Sequence, residues 1–518
     1  MNRVAAPSVP WAAIPWPTVV VVALTLRVLL FSFAENKQAD APMRALIAER
    51  MNADSAAAGD PRSFCQFGPL PIEAMRPFMA ADPDARRSSR VLSLLAGLLV
   101  FWPFFALGRR MLAGVSGAGL ALGVAGLGLA LSPLHIQLST TAGSEALYLL
   151  LLLATLARLH AAVSEGRRGD YLVAGLLASL AAVTRYDTWL AVPVAMLGAL
   201  ACGRRDRRAV VDVALFGAAA AMLPAAYLVW SWAKTGDPFF FARYITQDHA
   251  TMAQAVAARF GPVLSRLRQL AIWLVSFAAA MTPLLFAAVP AAARQWRRWS
   301  AGTRVVLLMA LAPTAAYLAN GIILGQFEPL PRFAIGPGAA LLPVAASALL
   351  SLPLFATARR ASLGVAVAAV LIAASALLAA FARPDRVWAG AESIGPLTRL
   401  DSEDRGLALY LLQHRRPQEA VFIDTFGYVD AVIAHAARVP APLTTTLAHT
   451  RTPSATLRES RARTGASWFA YHALSWGKTL PPDWPVPKER RFGGWHLAYV
   501  ADDAQDARRH EEGVSAAP

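Results

Sequence analysis

Apolar and polar residues alternate along this chain in long blocks rather than at the period of a soluble fold. Eleven hydrophobic runs, at about 11–33, 91–108, 112–131, 146–163, 171–184, 188–202, 209–233, 270–293, 303–325, 333–357 and 361–382, are separated by polar segments. Most approach the ~20 residues that a helix needs to cross ~30 Å of hydrocarbon. The runs 171–184 and 188–202 are short, but they come as a pair, so the parity of crossings is the same whether they span or form a hairpin. Only Arg3 precedes the first run and no small-residue cleavage site follows it soon, so it is expected to be an anchor rather than a removed signal peptide. From about 383 the pattern changes. Helical stretches near 405–413 and 428–435 alternate with strand-like stretches near 420–424, 467–471 and 495–500, which predicts a small α/β domain over 383–500. The last stretch, 501–518, reads as a disordered tail. The fold expected is a polytopic α-helical membrane protein of about eleven spans over 1–382, carrying that small domain at its C-terminal end.

Composition agrees. The chain has 518 residues, 56% of them hydrophobic and 16% charged, with a mean hydropathy of +0.44. Soluble domains carry roughly 25% charged residues. The formal net charge is nevertheless +16, which raises the question of a nucleic-acid partner. Its distribution answers that. With the N-terminus inside, the inner loops collect 16 basic residues, such as Arg109, Arg110, Arg167, Arg168, Arg297 and Arg298, against four acidic ones. The outer segments carry 16 basic and 13 acidic residues, and the region from Arg383 onward carries 17 and 16. The excess therefore follows the positive-inside rule. It predicts a cytoplasmic-membrane protein with its C-terminal domain outside the cytoplasm and no nucleic-acid partner. Cys65 falls outside and Cys202 inside, so no disulfide staples the fold. No GxxxxGK[ST] loop and no GxGxxG opening a helix after a strand is present, which leaves an ATP-driven pump without support.

The outer segments hold the chemistry-bearing residues. In the first, 34–88, Met43, Leu46, Ile47 and Met51 share one helical face, which predicts an amphipathic helix lying on the membrane surface. Asp40 stands just ahead of Pro42 and is either a helix cap or a functional carboxylate; Glu35 lies five residues before it. The second outer segment, Leu131-Ser-Pro-Leu-His-Ile-Gln-Leu-Ser, leads into Glu145 at the mouth of a Leu-rich span, where a carboxylate is costly unless solvated, paired or used. Favourable electrostatics at a helix start are the alternative. His135 suits an interfacial hydrogen bond better than a ligand role, although it remains a possible substrate contact. Basic residues sit outside against the general trend: Arg185 in Thr-Arg-Tyr-Asp, Lys234 and Arg243 (with Tyr244) around Thr235-Gly-Asp-Pro-Phe-Phe-Phe, and Arg332 in Glu328-Pro-Leu-Pro-Arg-Phe. Each alone could simply snorkel. Together they could clamp a phosphate, for which arginine offers a bidentate fork. In the C-terminal domain Asp424, followed by Thr425, Gly427 and Tyr428, could touch a ligand but reads better as a loop cap.

These stretches, with Phe67-Gly-Pro-Leu-Pro, Ser89-Arg-Val-Leu-Ser-Leu-Leu-Ala-Gly-Leu-Leu, Ala174-Gly-Leu-Leu-Ala-Ser-Leu-Ala-Ala-Val-Thr-Arg-Tyr and Pro331-Arg-Phe followed by Pro337, resemble the GT-C superfamily. Within it the chain looks most like the dolichyl-phosphate-mannose–protein mannosyltransferases (glycosyltransferase family 39), over about 15–350. The resemblance implies an inverting transfer of a sugar from a polyprenyl-phosphate carrier to a protein, lipid or glycan acceptor on the outer face of the bilayer. It implies a first-loop carboxylate as general base, matched by Asp40 and then Glu35, and an acidic residue at the fourth span, matched by Glu145. It implies basic residues on the donor phosphate, matched by Arg332, Arg185, Lys234 and Arg243. The chain departs from the family in spacing Glu35 and Asp40 five apart where the family has adjacent acids, and in carrying Glu at 145 where Asp is usual. No metal-ligand spacing stands out and no cofactor is assigned, although a divalent ion near Asp40 is compatible with the sequence. Two other classes stay open: a multi-pass transporter or flippase, which should place ionisable residues mid-span near broken helices, and a non-catalytic cell-envelope assembly protein.

Overall fold

The computed structural model describes residues 15–37, 40–82, 84–203, 206–352, 369–374, 377, 399–423, 429–440, 465–472 and 489–499. Most of the run 361–382, Asp424 with 425–428, the tail 501–518 and the side chain of Tyr244 lie outside them.

Each of the other ten hydrophobic runs is mainly helical over its described residues, although 112–117 is a turn. Among the described residues, seven helices are long and apolar enough to cross a membrane: Trp16–Phe33, Ala85–Met111, Glu145–Glu165, Arg207–Thr235, Pro262–Met281, Ala301–Leu324 and Pro331–Leu350. An eighth crossing results if Ala118–Leu131 and Pro133–Thr140, bent by 54° at Ser132, form one span. Arg168–Thr184 and Asp187–Cys202 are the short pair, joined by a turn at Arg185 and Tyr186. Large apolar side chains such as Trp102, Leu197, Val229 and Val263 are exposed, as helices facing lipid require. Inside the bundle the helices approach closely. A Cβ at Gly175 would lie 2.5 Å from the Phe216 carbonyl, so only glycine lets Arg168–Thr184 pack against Arg207–Thr235.

The C-terminal region forms a four-stranded sheet of order β1-β2-β4-β3, with β1 Val421–Ile423, β2 Trp468–His472, β3 Glu489–Phe492 and β4 Trp495–Tyr499. β1 and β2 are parallel, whereas β4 is antiparallel to both β2 and β3. Helices Ser402–His414 and Val429–Ala436 pack with the sheet.

One expectation is overturned. Helix Asp40–Ala53 does not lie on the membrane surface. Every residue from Asp40 to Ala48 is buried, as is Met51. Its apolar residues share one core with Ile72 and Met75 on one side and with Leu407, Leu411, Ile433, Trp468 and Trp495 of the C-terminal domain on the other. The domain supplies the cover that the sequence pattern assigned to lipid headgroups.

Candidate active site

Helix Asp40–Ala53 carries its first-turn carboxylate into a junction where five elements meet. Glu145 opens the helix Glu145–Glu165, where the positive helix end favours a carboxylate. Arg185 and Asp187 come from the turn between the two short helices. Tyr317 lies near the end of Ala301–Leu318, just before the chain widens into the π-helical turn Ala319–Leu324. Arg332 sits in the 3-10 turn Pro331–Ala334 that starts the last described span.

The charges alternate along a single line. Arg44 Nη2 is 3.4 Å from Asp40 Oδ2, and Arg332 Nη2 donates to the same oxygen at 2.7 Å. Arg332 Nε lies 3.5 Å from Glu145 Oε1, to which Arg185 Nη1 also donates at 2.6 Å. Arg185 Nε donates to Asp187 Oδ2 at 2.8 Å, and Tyr317 donates its hydroxyl to Asp187. Three guanidiniums thus meet three carboxylates, and no side chain of these six ion-pair partners is more than 11% exposed. Burial at this depth makes removal of one partner costly, because the other is left charged and dry. Burial pushes the Arg44 guanidinium down, with Glu145 and Asp40 opposing. Burial also acts to lower Arg185, but Asp187 and Glu145 outweigh it and the group ends raised. Glu145 Oε2 is buried with no hydrogen-bond partner among the described residues. A buried carboxylate oxygen in that state accommodates a donor brought in by a ligand.

Aromatic rings hold the cations in place. Arg44 stacks over Phe67 at 4.5 Å, and Arg185 and Arg332 lie over Phe333 at 5.1 and 5.7 Å. The Phe67-Gly68 loop is pressed onto the end of Arg168–Thr184: a Cβ at Gly68 would sit 2.4 Å from the Thr184 carbonyl, and Tyr186 donates its hydroxyl to Phe67 O at 3.0 Å. His249 stacks on Phe327 at 4.3 Å, and burial, with Arg332 nearby, pushes it down to about 4, so it is neutral near pH 7.

Of the residues singled out in the sequence, Asp40, Glu145, Arg185 and Arg332 come together here. Glu35 does not. It accepts from Arg405 at 2.8 Å on both oxygens and from the Leu400 backbone N–H at 2.5 Å, tying the C-terminal domain to the end of the first span. Lys234 is exposed, and Arg243 is exposed and paired with Asp237. His135 is fully buried in the helix Pro133–Thr140, where its Nδ1 faces Arg27 of the first span at 2.5 Å, away from the junction. Sequence reasoning missed Arg44, Asp187 and Tyr317. Asp187 stood beside Arg185 in the same turn and could have been found as its local partner; Arg44 was one of several charges around a helix, and nothing marked Tyr317. Among the described residues no three His, Cys, Asp or Glu side chains gather into a metal-binding group.

Residues 76–232 match the dolichyl-phosphate-mannose-protein mannosyltransferase family. The structure of ArnT from Cupriavidus metallidurans, bound to undecaprenyl phosphate, superposes with a TM-score of 0.60 at 14% identity, covering 94% of this chain and 98% of that one. At that identity the likeness is one of fold: membrane-spanning helices followed by a small C-terminal sheet domain. The oligosaccharyltransferase AglB of Archaeoglobus fulgidus, in complex with an inhibitory peptide and a dolichol-phosphate, matches with a TM-score of 0.52 at 12% identity, covering 88% of this chain and 69% of that one. The arabinofuranosyltransferase AftD from Mycobacteria matches with a TM-score of 0.51 at 17% identity, over 96% of this chain and 42% of that one. No curated protein matches the chain by sequence. The resemblance drawn from the sequence is borne out, and the chain is a multi-pass membrane protein.

Proposed function

We propose that the protein is an integral-membrane glycosyltransferase that moves a sugar from a polyprenyl-phosphate carrier to a protein, lipid or glycan acceptor at the outer face of the cytoplasmic membrane. The single observation that carries the site assignment is Arg332 lying between the carboxylates of Asp40 and Glu145 at one buried junction. The family match and the lipid phosphates bound in the ArnT and AglB structures support the donor class. Arginine asymmetry across the spans supports the orientation.

In the proposed reaction the donor phosphate binds Arg332 and Arg185, which act as its electrostatic clamp. At rest both guanidinium contacts of Asp40 reach Oδ2. A phosphate that draws Arg332 away frees lone pairs on Asp40, so that donor binding readies the base. Asp40 then takes the proton of the acceptor hydroxyl or amide as its heteroatom attacks the anomeric carbon. The bond from that carbon to the phosphate oxygen breaks, its electron pair leaves with the lipid phosphate, and the arginines stabilise the charge. One displacement inverts the anomeric carbon, and no covalent enzyme intermediate forms. Glu145 orients Arg332 and Arg185, and its unpartnered Oε2 is placed to accept from a sugar hydroxyl. Asp187 and Tyr317 hold Arg185 from the far side.

The reading is tested by incubating purified protein with a panel of radiolabelled polyprenyl-phosphate sugars, comparing wild type with Asp40→Asn and Glu145→Gln. Sugar release by wild type and its loss in both variants is the expected result. Donors left intact by wild type throughout would overturn the transferase assignment, and full activity in Asp40→Asn would return Asp40 to a structural role.

A further inference from the structure

A cavity of about 620 Å³ opens at the outer end of the first span, and none of Asp40, Glu145, Arg185 or Arg332 lines it. Its size falls within the ~300–1,000 Å³ typical of ligand sites. Phe31 and Phe33 line it from the first span, and Leu400, Leu409 and Val432 line it from the C-terminal domain. Its charge is one-sided. Arg86, Arg87, Arg90, Arg399 and Arg405 line it against Glu35 and Asp84, five positive charges to two negative, a balance of +3.

The two acids offset part of that field, and basic charge remains in excess. Glu35 is committed to Arg405. Asp84 reaches Arg86 Nε at only 3.4 Å, while Arg87 is held by Asp82. The guanidinium of Arg90 donates to the backbone carbonyls of Ala34, Phe31 and Thr140, none of which carries a charge. His435, also in the lining, is pushed down to about 4 by burial and then by Arg86 and Arg90, so it is neutral near pH 7 and leaves the arginines to set the sign.

We propose that this cavity binds the phosphate-bearing headgroup of an anionic membrane lipid, separately from the reacting centre. Arginine forks supply the phosphate contacts. The position supplies the lipid: the cavity sits where the helix Trp16–Phe33 ends, and Leu29 and Phe33 on that helix are 53% and 54% exposed, so an acyl chain has an apolar wall to run along. A free phosphate would use the arginines and leave that wall unused. The lining also touches the loop that delivers Glu145, since Asn36 accepts from the Ala142 N–H at 2.9 Å. The site goes beyond the transferase reading and does not depend on it.

The test uses the full chain in phosphatidylcholine nanodiscs with phosphatidylglycerol titrated in, bound lipid being counted by native mass spectrometry. Wild type should retain phosphatidylglycerol over phosphatidylcholine. The double variant Arg86→Gln/Arg399→Gln, at a partly exposed and an exposed position, should bind it about 30-fold more weakly, as two lost charges near a membrane surface imply. Ala436→Phe fills the lined space without changing charge and should also expel the lipid, which guards against a folding defect in the double variant. Equal retention of the two lipids by wild type, or unchanged retention in both variants, overturns the proposal. Displacement of the lipid by inorganic phosphate at matching concentration would show a phosphate site without lipid and overturn the headgroup assignment. No sugar donor is present, so failure here is distinguishable from failure of the transferase reading.

Discussion

Glu35 and Asp40 stand five residues apart, and in sequence they were rival candidates for the same task. The structure sends them to different places. Asp40 is 9% exposed by side chain and meets two buried guanidiniums, one of them 292 residues further along the chain. Glu35 is 34% exposed and fastens the C-terminal domain through Arg405, itself 42% exposed. Both are carboxylate–arginine pairs, but solvent makes the second worth little, whereas the first is held where removal of a partner strands a charge. The difference teaches that depth and the chain segments that arrive there decide the role of an acid.

The largest effect that could break this comparison is on chemistry. Asp40→Asn should lower turnover by about 10²–10⁴-fold, the usual contribution of a positioned general base, with the donor still bound; single-turnover assays alongside donor binding check it. Equal losses in Glu35→Gln would erase the distinction. Arg332→Gln should cost about 10²–10³-fold, as loss of one electrostatic contact to a leaving group does, and should weaken donor binding as well. Leu46→Ala tests the buried helix that carries Asp40: it should cost about 2–5 kcal/mol of stability by opening a core cavity, read by thermal unfolding in detergent. Were that helix on the membrane surface, the cost would be far smaller.

Acid should act on the Glu35 side of the comparison. His435 titrates near 6.5 when unfolded and is pushed down to about 4 when folded, by burial and then by Arg86 and Arg90. Its contribution is therefore present above pH 6.5 and lost as the pH falls toward 4, because the unfolded chain takes up a proton first. Unfolding temperatures at pH 7 and pH 5 should show the drop, and His435→Gln should flatten it. The smallest effect is Glu35→Gln itself, at most about 1 kcal/mol with activity within a few-fold of wild type.

Much of the fold was legible because a bilayer imposes a simple rule. Backbone groups in hydrocarbon must bond internally, so apolar runs of the right length become helices regardless of distant partners. Three of the four described strands of the C-terminal domain were legible too, since short β-rich runs such as Val421–Ile423 and Trp495–Tyr499 are punctuated locally; Glu489–Phe492 was missed, because Glu-Arg-Arg-Phe carries no apolar run to mark it. The helix Asp40–Ala53 was misplaced for a related reason. An apolar stripe shows that a face is buried but not what buries it, and here the cover comes from residues beyond 400. Arg44 escaped notice as one charge among several on that helix, and Tyr317 as an ordinary tyrosine near a span end.

By itself the sequence marked the apolar helices and, through the parity of crossings it predicts, grouped Asp40, Glu145, Arg185 and Arg332 on one side of the bundle. Periodicity, charge asymmetry and helix starts are local properties, and they survive without knowledge of the packing. Tertiary structure alone decided that Arg332 sits between Asp40 and Glu145, that Asp187 and Tyr317 brace Arg185, and that Glu35 belongs to the domain junction. Ion pairing falls off over a few ångströms, so a choice among acids and arginines that share one membrane face is made only when the helices pack.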